Sequence, residues 1–261
     1  MFFNIKSPQK TSKNKIQEKD LDTLFIVAGC PGAGKSTIIR SAYQLDIPLF
    51  GEEFHEKFLT TCKSPKFVEY DNYSDAKQFG SIFQARHLKN LKRDPSPPKC
   101  LLLHIDLKGV IKWLAYPSAK REYKKKIKKT TDLPVPHSEM VKQKICDLMV
   151  SGYLSNPIFR RYKKILINTV YTKFEDNSRQ LHSRCSFMEV EGKPSKLKNL
   201  GFTTAKLARR FHREAYKSWN RNLYILKPEQ IQFTHINESG DLLINNELIC
   251  KNWKSKALGS A

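Results

Sequence analysis

Apolar runs alternate with amphipathic stretches along this chain, and the alternation predicts an α/β fold. Runs short enough to be buried strands occupy residues 23–28, 101–105 and 164–171. Apolar residues at helical spacing occupy 52–59, 74–92 and 203–223. Strands that alternate with helices favour a mostly parallel, doubly wound sheet with helices on both faces.

Turn-forming residues bound these segments and predict the remaining elements. Further helices are expected from the glycine-rich stretch after the first strand to about residue 44, at 138–150 and at 175–188. Prolines at 95, 97 and 98 end the helix predicted over 74–92. The apolar stretches 231–236 and 242–249 flank a polar turn and predict a C-terminal β-hairpin.

The pattern predicts one domain with appendages. Residues 1–20 are polar and rich in lysine, which is typical of a flexible arm, so the folded domain is expected over 21–261. Residues 110–136 are basic and interrupted by prolines, which predicts an insertion outside the core. A lid is expected at about 174–200, between the third strand and the long helix that follows.

Composition narrows the class of protein. The chain has 261 residues, of which 39% are hydrophobic and 28% charged, and no apolar run approaches the roughly 20 residues of a membrane helix. The six cysteines form no C-x-x-C pair, and the amino terminus has no signal-peptide core. We therefore expect a cytoplasmic protein with reduced thiols and no membrane span.

The net charge of +22 has two interpretations. The basic surface can bind nucleic acid, another anionic polymer or a membrane face, or it can be a solvated coat, which the even spread of lysines favours. The densest basic run, residues 120–129, can hold an acidic substrate or be an exposed helix face. No base-stacking motif supports nucleic acid, which stays a second choice as partner.

The segment that carries the most chemistry is Gly29-Cys30-Pro31-Gly32-Ala33-Gly34-Lys35-Ser36-Thr37. It fits G-x-x-x-x-G-K-[ST] between a predicted strand and a predicted helix, which is the setting that a phosphate-binding loop requires. Glycines let successive N–H groups face an anion, and the helix N-terminus adds partial positive charge. Lys35, expected on an exposed loop, can reach the β and γ phosphates, and the Ser36 hydroxyl can ligate Mg²⁺.

By this segment the chain resembles the P-loop NTPase superfamily, and most nearly its kinases. The resemblance implies a nucleotide triphosphate, ATP with Mg²⁺, bound by residues 29–37. Asp106 ends the second buried strand, as a Walker B carboxylate does, and can hold Mg²⁺ together with Ser36 or act as a base toward an acceptor hydroxyl. Its alternative role is that of a helix N-cap after a strand.

Two further groups of side chains are candidates with alternatives. Arg179 and Arg184 follow the third strand, where P-loop kinases carry a lid whose arginines clamp the transferring phosphoryl group; in a chain this basic they can equally be surface arginines. Three acidic residues can bind substrate hydroxyls or belong to a solvated loop: Glu69, Asp71 and Asp75.

Two other families are weighed on short matches. Asp106-Leu107-Lys108-Gly109, Thr172-Lys173-Phe174-Glu175 and Thr204-Ala205-Lys206 resemble GTPase elements in the right order, although Glu175 stands where the guanine-reading motif needs Asp. Tyr216 and Trp219 resemble a C-terminal feature of some sulfotransferases, which use a phosphosulfate nucleotide.

The expected function is phosphoryl transfer from ATP, catalysed by Lys35, Asp106, Arg179 and Arg184, to a hydroxylated or acidic small molecule or saccharide. The alternatives are a sulfotransferase and a GTP-binding switch or other nucleotide-binding module.

Overall fold

The computed structural model describes residues 21–63, 87–107, 138–179 and 205–259, the two-residue strand at 81–82 and the single positions 74, 78 and 125. Several predictions lie outside these residues: the arm at 1–20, nearly all of the insertion, the acidic residues 69, 71 and 75, Arg184, and the lid beyond residue 179.

Seven strands form one sheet, in the order β2-β3-β1-β4-β5-β6-β7. The first five strands in this order are parallel, and β6 and β7 are antiparallel additions. Their bounds are Leu21–Gly29 (β1), Ser81–Ile82 (β2), Cys100–Asp106 (β3), Tyr162–Tyr171 (β4), Gln230–Ile236 (β5), Leu242–Ile244 (β6) and Glu247–Cys250 (β7). The prediction of an α/β fold with a mostly parallel sheet is confirmed.

Six of the helices that the structure describes pack on this sheet. They are Lys35–Gln44 (α1), Glu52–Cys62 (α2), Leu88–Arg93 (α3), Ser138–Leu154 (α4), Ala205–Asn222 (α5) and Trp253–Gly259 (α6). Short 3₁₀ helices cover Pro157–Arg161 and Leu223–Leu226, and residues 174–179 are helical. None of the described helices has the length and apolar character that crossing a membrane requires.

The central strand β1 is buried on both faces because its alternate side chains belong to two cores. Leu24, Ile26 and Ala28 pack in one core with residues of α3, α4 and α5. Phe25 and Val27 pack in the other core with residues of α1, α2 and α6. Helices therefore cover both faces of the sheet, which explains why β1 is an uninterrupted apolar run.

Two buried tryptophans fix helices through their indole N–H groups. Trp219 of α5 donates to the hydroxyl of Thr169 on β4 at 2.9 Å, and Trp253 of α6 donates to the hydroxyl of Ser41 on α1 at 2.7 Å. Each bond satisfies a polar group that burial would otherwise leave without a partner. The role of Trp219 is thus explained by helix docking.

The helix predicted over 74–92 is wrong as one continuous element. Ser81 and Ile82 pair with β3 as a parallel strand, and the helix α3 begins only at Leu88. The interval of five residues between Phe83 and Leu88 does not fit a helical period, and a short apolar run does not distinguish strand from helix. The predicted stop before the prolines is confirmed, since α3 ends at Arg93.

The C-terminal hairpin is confirmed in part. β5 and β6 are antiparallel across residues 237–241, but residues 242–249 do not form one strand. Asn245 and Asn246 have φ angles of 53° and 69° and turn the chain between β6 and β7. Asparagine tolerates this left-handed region, so the Asn-Asn pair makes a second tight hairpin.

Candidate functional site

Three candidate segments meet at the carboxyl edge of the parallel strands. The loop at 29–34 follows β1, Asp106 ends β3, and Thr172 follows β4. β1 pairs directly with both neighbours, and the pairing sets Gly29 opposite Asp106. The structure therefore brings Asp106 alongside the start of the glycine-rich loop, at the edge where open parallel sheets bind ligands.

The loop has a backbone conformation that its glycines permit. Gly32 and Gly34 have φ angles of 76° and 78°, in the left-handed region that glycine adopts without a steric penalty. Ala33 N–H donates to the carbonyl of Cys30 at 3.0 Å, which closes the turn. The N–H of Ile38 donates to the Gly34 carbonyl at 2.8 Å as α1 begins, so the first N–H groups of this helix face the loop.

The loop is tightly packed on one side and open on the other. A Cβ atom at Gly29 would lie 2.7 Å from the carbonyl oxygen of Val170, so only glycine fits there. A Cβ atom at Gly34, where the loop joins α1, would have no neighbour within 4 Å among the residues that the structure describes. Within the described part of the chain, space is therefore available beside the N-terminus of α1, and the cap residue Gly34 makes no side-chain hydrogen bond there.

Lys35 differs from the expectation of an exposed side chain. It is 5% exposed, and its ammonium group donates to the carbonyls of Gly29 at 2.9 Å and Cys30 at 2.7 Å. The correction has a physical reason: Lys35 starts α1, and its side chain folds back over the loop that precedes the helix. The structure thus places a positive charge within the loop.

Ser36, Thr37 and Asp106 carry side-chain oxygen atoms on the two elements next to the loop, α1 and β3. Ser36 and Thr37 lie half-buried in the first turn of α1, and Asp106 is half-buried at the end of β3. Among the residues that the structure describes, no group of three or more His, Cys, Asp or Glu side chains could hold a metal ion. Mg²⁺ commonly takes one or two protein oxygens together with substrate phosphates and water, and a serine hydroxyl and a carboxylate fit that preference.

The Tyr216 hydroxyl joins the loop to its neighbouring strand. It accepts a hydrogen bond from the N–H of Cys30 at 3.2 Å and donates to the carbonyl of Val170 at 2.7 Å. Burial raises the pKa of Tyr216 well above its usual value, so the hydroxyl keeps the proton that it donates. In the sequence, Tyr216 is distinguished only by a weak resemblance, and no local pattern predicts its contact with the loop.

Two polar side chains after β4 bond to the outside of the loop. The Thr172 hydroxyl donates to the carbonyl of Ala33 at 3.2 Å, and the Asn177 amide donates to the carbonyl of Pro31 at 2.7 Å. Asn177 is 4% exposed. Sequence reasoning missed both contacts, because partners 139 and 146 residues apart leave no local pattern.

An aromatic group lies next to these contacts. The ring of His212 on α5 contacts Tyr171, Phe174 and Tyr216, with ring centroids 5.0–6.4 Å apart. Burial lowers the pKa of His212, which favours a neutral imidazole at pH 7. The cluster supports the segment that carries Thr172 and Asn177.

In the described part of the chain, no recorded contact joins the predicted lid arginines to the glycine-rich loop. Arg179 forms an ion pair with Asp176, three residues away, and its side chain is 79% exposed. Arg184 lies outside the described residues. A role for either in catalysis stays a prediction.

Comparison with known proteins adds no relative to this picture. No family model, no curated protein and no solved structure matches the chain.

Proposed function

We propose that this protein is an ATP- and Mg²⁺-dependent phosphotransferase of the P-loop kinase type. The observation that supports it most is the conformation of residues 29–37. A glycine packed against the Val170 carbonyl and two left-handed glycines lead into a helix that begins with a buried lysine, and no described residue lies within 4 Å of a Cβ placed at its cap glycine. Backbone N–H groups at such a helix end, with a nearby ammonium group, favour a polyphosphate.

Each residue has a defined part in this proposal. Lys35 exchanges its two carbonyl acceptors for phosphate oxygens, with which an ammonium group forms stronger, charge-assisted bonds. Ser36 and Asp106 would hold a magnesium ion, which would supply neutralisation of the charge on the phosphates. Asp106 alternatively accepts the proton of the acceptor hydroxyl. Phosphoryl transfer needs mainly positioning and charge neutralisation, so this small set is sufficient.

The acceptor is proposed only as a class: a hydroxylated or acidic small molecule or a saccharide. Arg179 and Arg184 are proposed to stabilise the transferring group. For Arg179 this requires release from Asp176, and an exposed pair of this kind contributes only about 0–1 kcal/mol, so release is inexpensive.

The two alternatives have specific obstacles. A GTP-binding switch would read guanine with Lys173 and Glu175, but Glu175 stands where the guanine-reading motif needs Asp. The Tyr216 and Trp219 side chains, which suggested a sulfotransferase, bond to the loop and to β4, and these contacts account for both residues without a sulfonucleotide.

The test is magnesium-dependent transfer of a labelled γ-phosphoryl group from ATP to a panel of sugars, polyols and acidic metabolites, with ATP loss followed in parallel. The wild-type protein is compared with Lys35→Met and with Lys57→Met, a half-exposed lysine of α2 paired with Asp22. We expect ATP consumption in the wild type and in Lys57→Met only. Equal consumption by Lys35→Met would reject the assignment.

A further inference from the structure

The carbonyl groups of the glycine-rich loop are held from outside by side chains of another segment. Asn177 donates to the Pro31 carbonyl at 2.7 Å, and Thr172 donates to the Ala33 carbonyl at 3.2 Å. Asn177 is itself fixed, because its backbone N–H donates to the Lys173 carbonyl at 3.0 Å within the helical turn at 174–179. Both contacts therefore come from residues whose positions β4 and the following turn determine.

The planarity of the peptide bond links the direction of each held carbonyl to the direction of the next residue's N–H group. In a planar trans peptide the C=O and the N–H of one unit point in opposite directions. Holding the Pro31 carbonyl toward Asn177 directs the N–H of Gly32 away from that side chain. Holding the Ala33 carbonyl toward Thr172 does the same for the N–H of Gly34.

The loop needs such external restraint because of its composition. Glycine loses more conformational freedom than any other residue when its backbone is fixed, and Gly32 and Gly34 carry the two peptides in question. A loop whose peptide units rotate freely would have to order on ligand binding, which weakens affinity. Two hydrogen bonds made before the ligand arrives remove part of that cost.

We propose that Asn177 and Thr172 are positioning residues, which orient the Gly32 and Gly34 N–H groups toward a bound polyphosphate without contacting it. This inference rests on the proposed function. It assigns a binding role to two side chains outside the motif and predicts that their loss weakens polyphosphate affinity more than it weakens the fold.

The experiment measures the affinity of the full chain for ATP with Mg²⁺ and for inorganic pyrophosphate by calorimetry, together with the melting temperature without ligand. Asn177→Ala and Thr172→Val each remove a side-chain donor, whereas Thr172→Ser keeps the hydroxyl donor at position 172. Asn156→Ala is the matched control, because the Asn156 side chain caps the Pro157–Arg161 helix through the Ile158 N–H. Loss of one hydrogen bond typically changes an equilibrium by roughly 2- to 12-fold.

We expect Asn177→Ala and Thr172→Val to lose about this factor toward both ligands, with Thr172→Ser close to wild type and Asn156→Ala changed in melting temperature alone. Unchanged affinity in Asn177→Ala and Thr172→Val, with the wild type binding, overturns this inference and leaves the proposed function standing. If the wild type binds neither ligand, both proposals are overturned. If Asn177→Ala does not fold, the Thr172→Val and Thr172→Ser pair decides.

Discussion

Helices α1 and α2 both begin after a glycine with positive φ, yet their N-termini are suited to different tasks. Gly34 precedes α1 with φ 78°, and Gly51 precedes α2 with φ 83°; neither helix has a side-chain bond at its cap. A Cβ atom at Gly34 would meet no described residue within 4 Å, whereas one at Gly51 would lie 3.1 Å from the Gln230 amide nitrogen. Among the described residues, the end of α1 is therefore open, whereas the Gln230 side chain fills the end of α2.

Charge reinforces the difference. The first turn of α1 holds no acidic residue and begins with Lys35, while the first turn of α2 carries Glu52 and Glu53. Carboxylates in a first turn offset the partial positive charge of a helix, so α2 has its anion within its own sequence. A helix N-terminus alone does not define a ligand site; an open approach and an added positive charge distinguish α1.

The largest effect is expected from Lys35→Met, which keeps the aliphatic stem and removes the ammonium group. Losing charged hydrogen bonds of about 1.5–3 kcal/mol should lower the affinity for ATP with Mg²⁺ by roughly 10- to 150-fold. Calorimetry checks it, with Lys57→Met on α2 as the control. Wild-type affinity in Lys35→Met would mean that this lysine is only structural.

The second-largest effect is expected from Gly29→Ala, which should lower the stability of the fold. Its Cβ would lie 2.7 Å from the Val170 carbonyl oxygen, within backbone that cannot give way cheaply. We expect a loss of about 1–3 kcal/mol in urea unfolding. Gly152→Ala on α4 has open space and should gain about 0.5–1 kcal/mol instead. Equal stability of the two variants would contradict the close packing of the loop on β4.

Alanine substitutions at the cap glycines Gly34 and Gly51 distinguish the cost of backbone strain from an effect on ligand binding. Gly51 has φ 83° and ψ 158°, a region that is essentially glycine-only, so Gly51→Ala should cost about 1–3 kcal/mol. Gly34, at φ 78° and ψ 12°, is in the left-handed helical region, where alanine costs about 1–2 kcal/mol. Polyphosphate affinity should fall in Gly34→Ala alone. A fall in both variants would remove the distinction between the helices.

The smallest effect is expected from Glu52→Gln and Glu53→Gln. Each should lower stability by about 0.3–1 kcal/mol at low salt and by less at high salt, because the carboxylate no longer complements the helix end. The double variant should gain no pyrophosphate binding, since the Gln230 side chain still fills that end. Thermal melts with and without pyrophosphate measure both outcomes. Pyrophosphate binding by the double variant would contradict the view that the Gln230 side chain excludes an anion from this helix end.

Local sequence patterns predicted the main strands and the glycine-rich loop. The side-chain contacts of the site join distant parts of the chain and could not be predicted in this way. β1, β3 and β4 are apolar runs that two cores require, and the motif at 29–37 depends on neighbouring residues. The burial of Lys35 depends on how its side chain packs in the folded loop. The contacts of Tyr216 and Asn177 join residues 186 and 146 positions apart, which no periodicity encodes.

The second hairpin is a different case, because the local sequence does contain a signal for it. Asn245 and Asn246 stand between two short apolar stretches, and consecutive asparagines favour a two-residue turn with positive φ at both positions. The strand β2, by contrast, has only two residues and depends on pairing with β3, which sequence alone does not reveal.

The most direct test of the central claim is the thermal stability of the wild-type protein with ATP, in the presence and absence of Mg²⁺. A ligand that binds only the folded state at 100 times its dissociation constant adds about 2.7 kcal/mol, which is roughly 5–10 °C for a chain of this size. We predict a rise of this order that requires Mg²⁺ and is absent in Lys35→Met. No rise with ATP under either condition would show that the open end of α1 is not a nucleotide site.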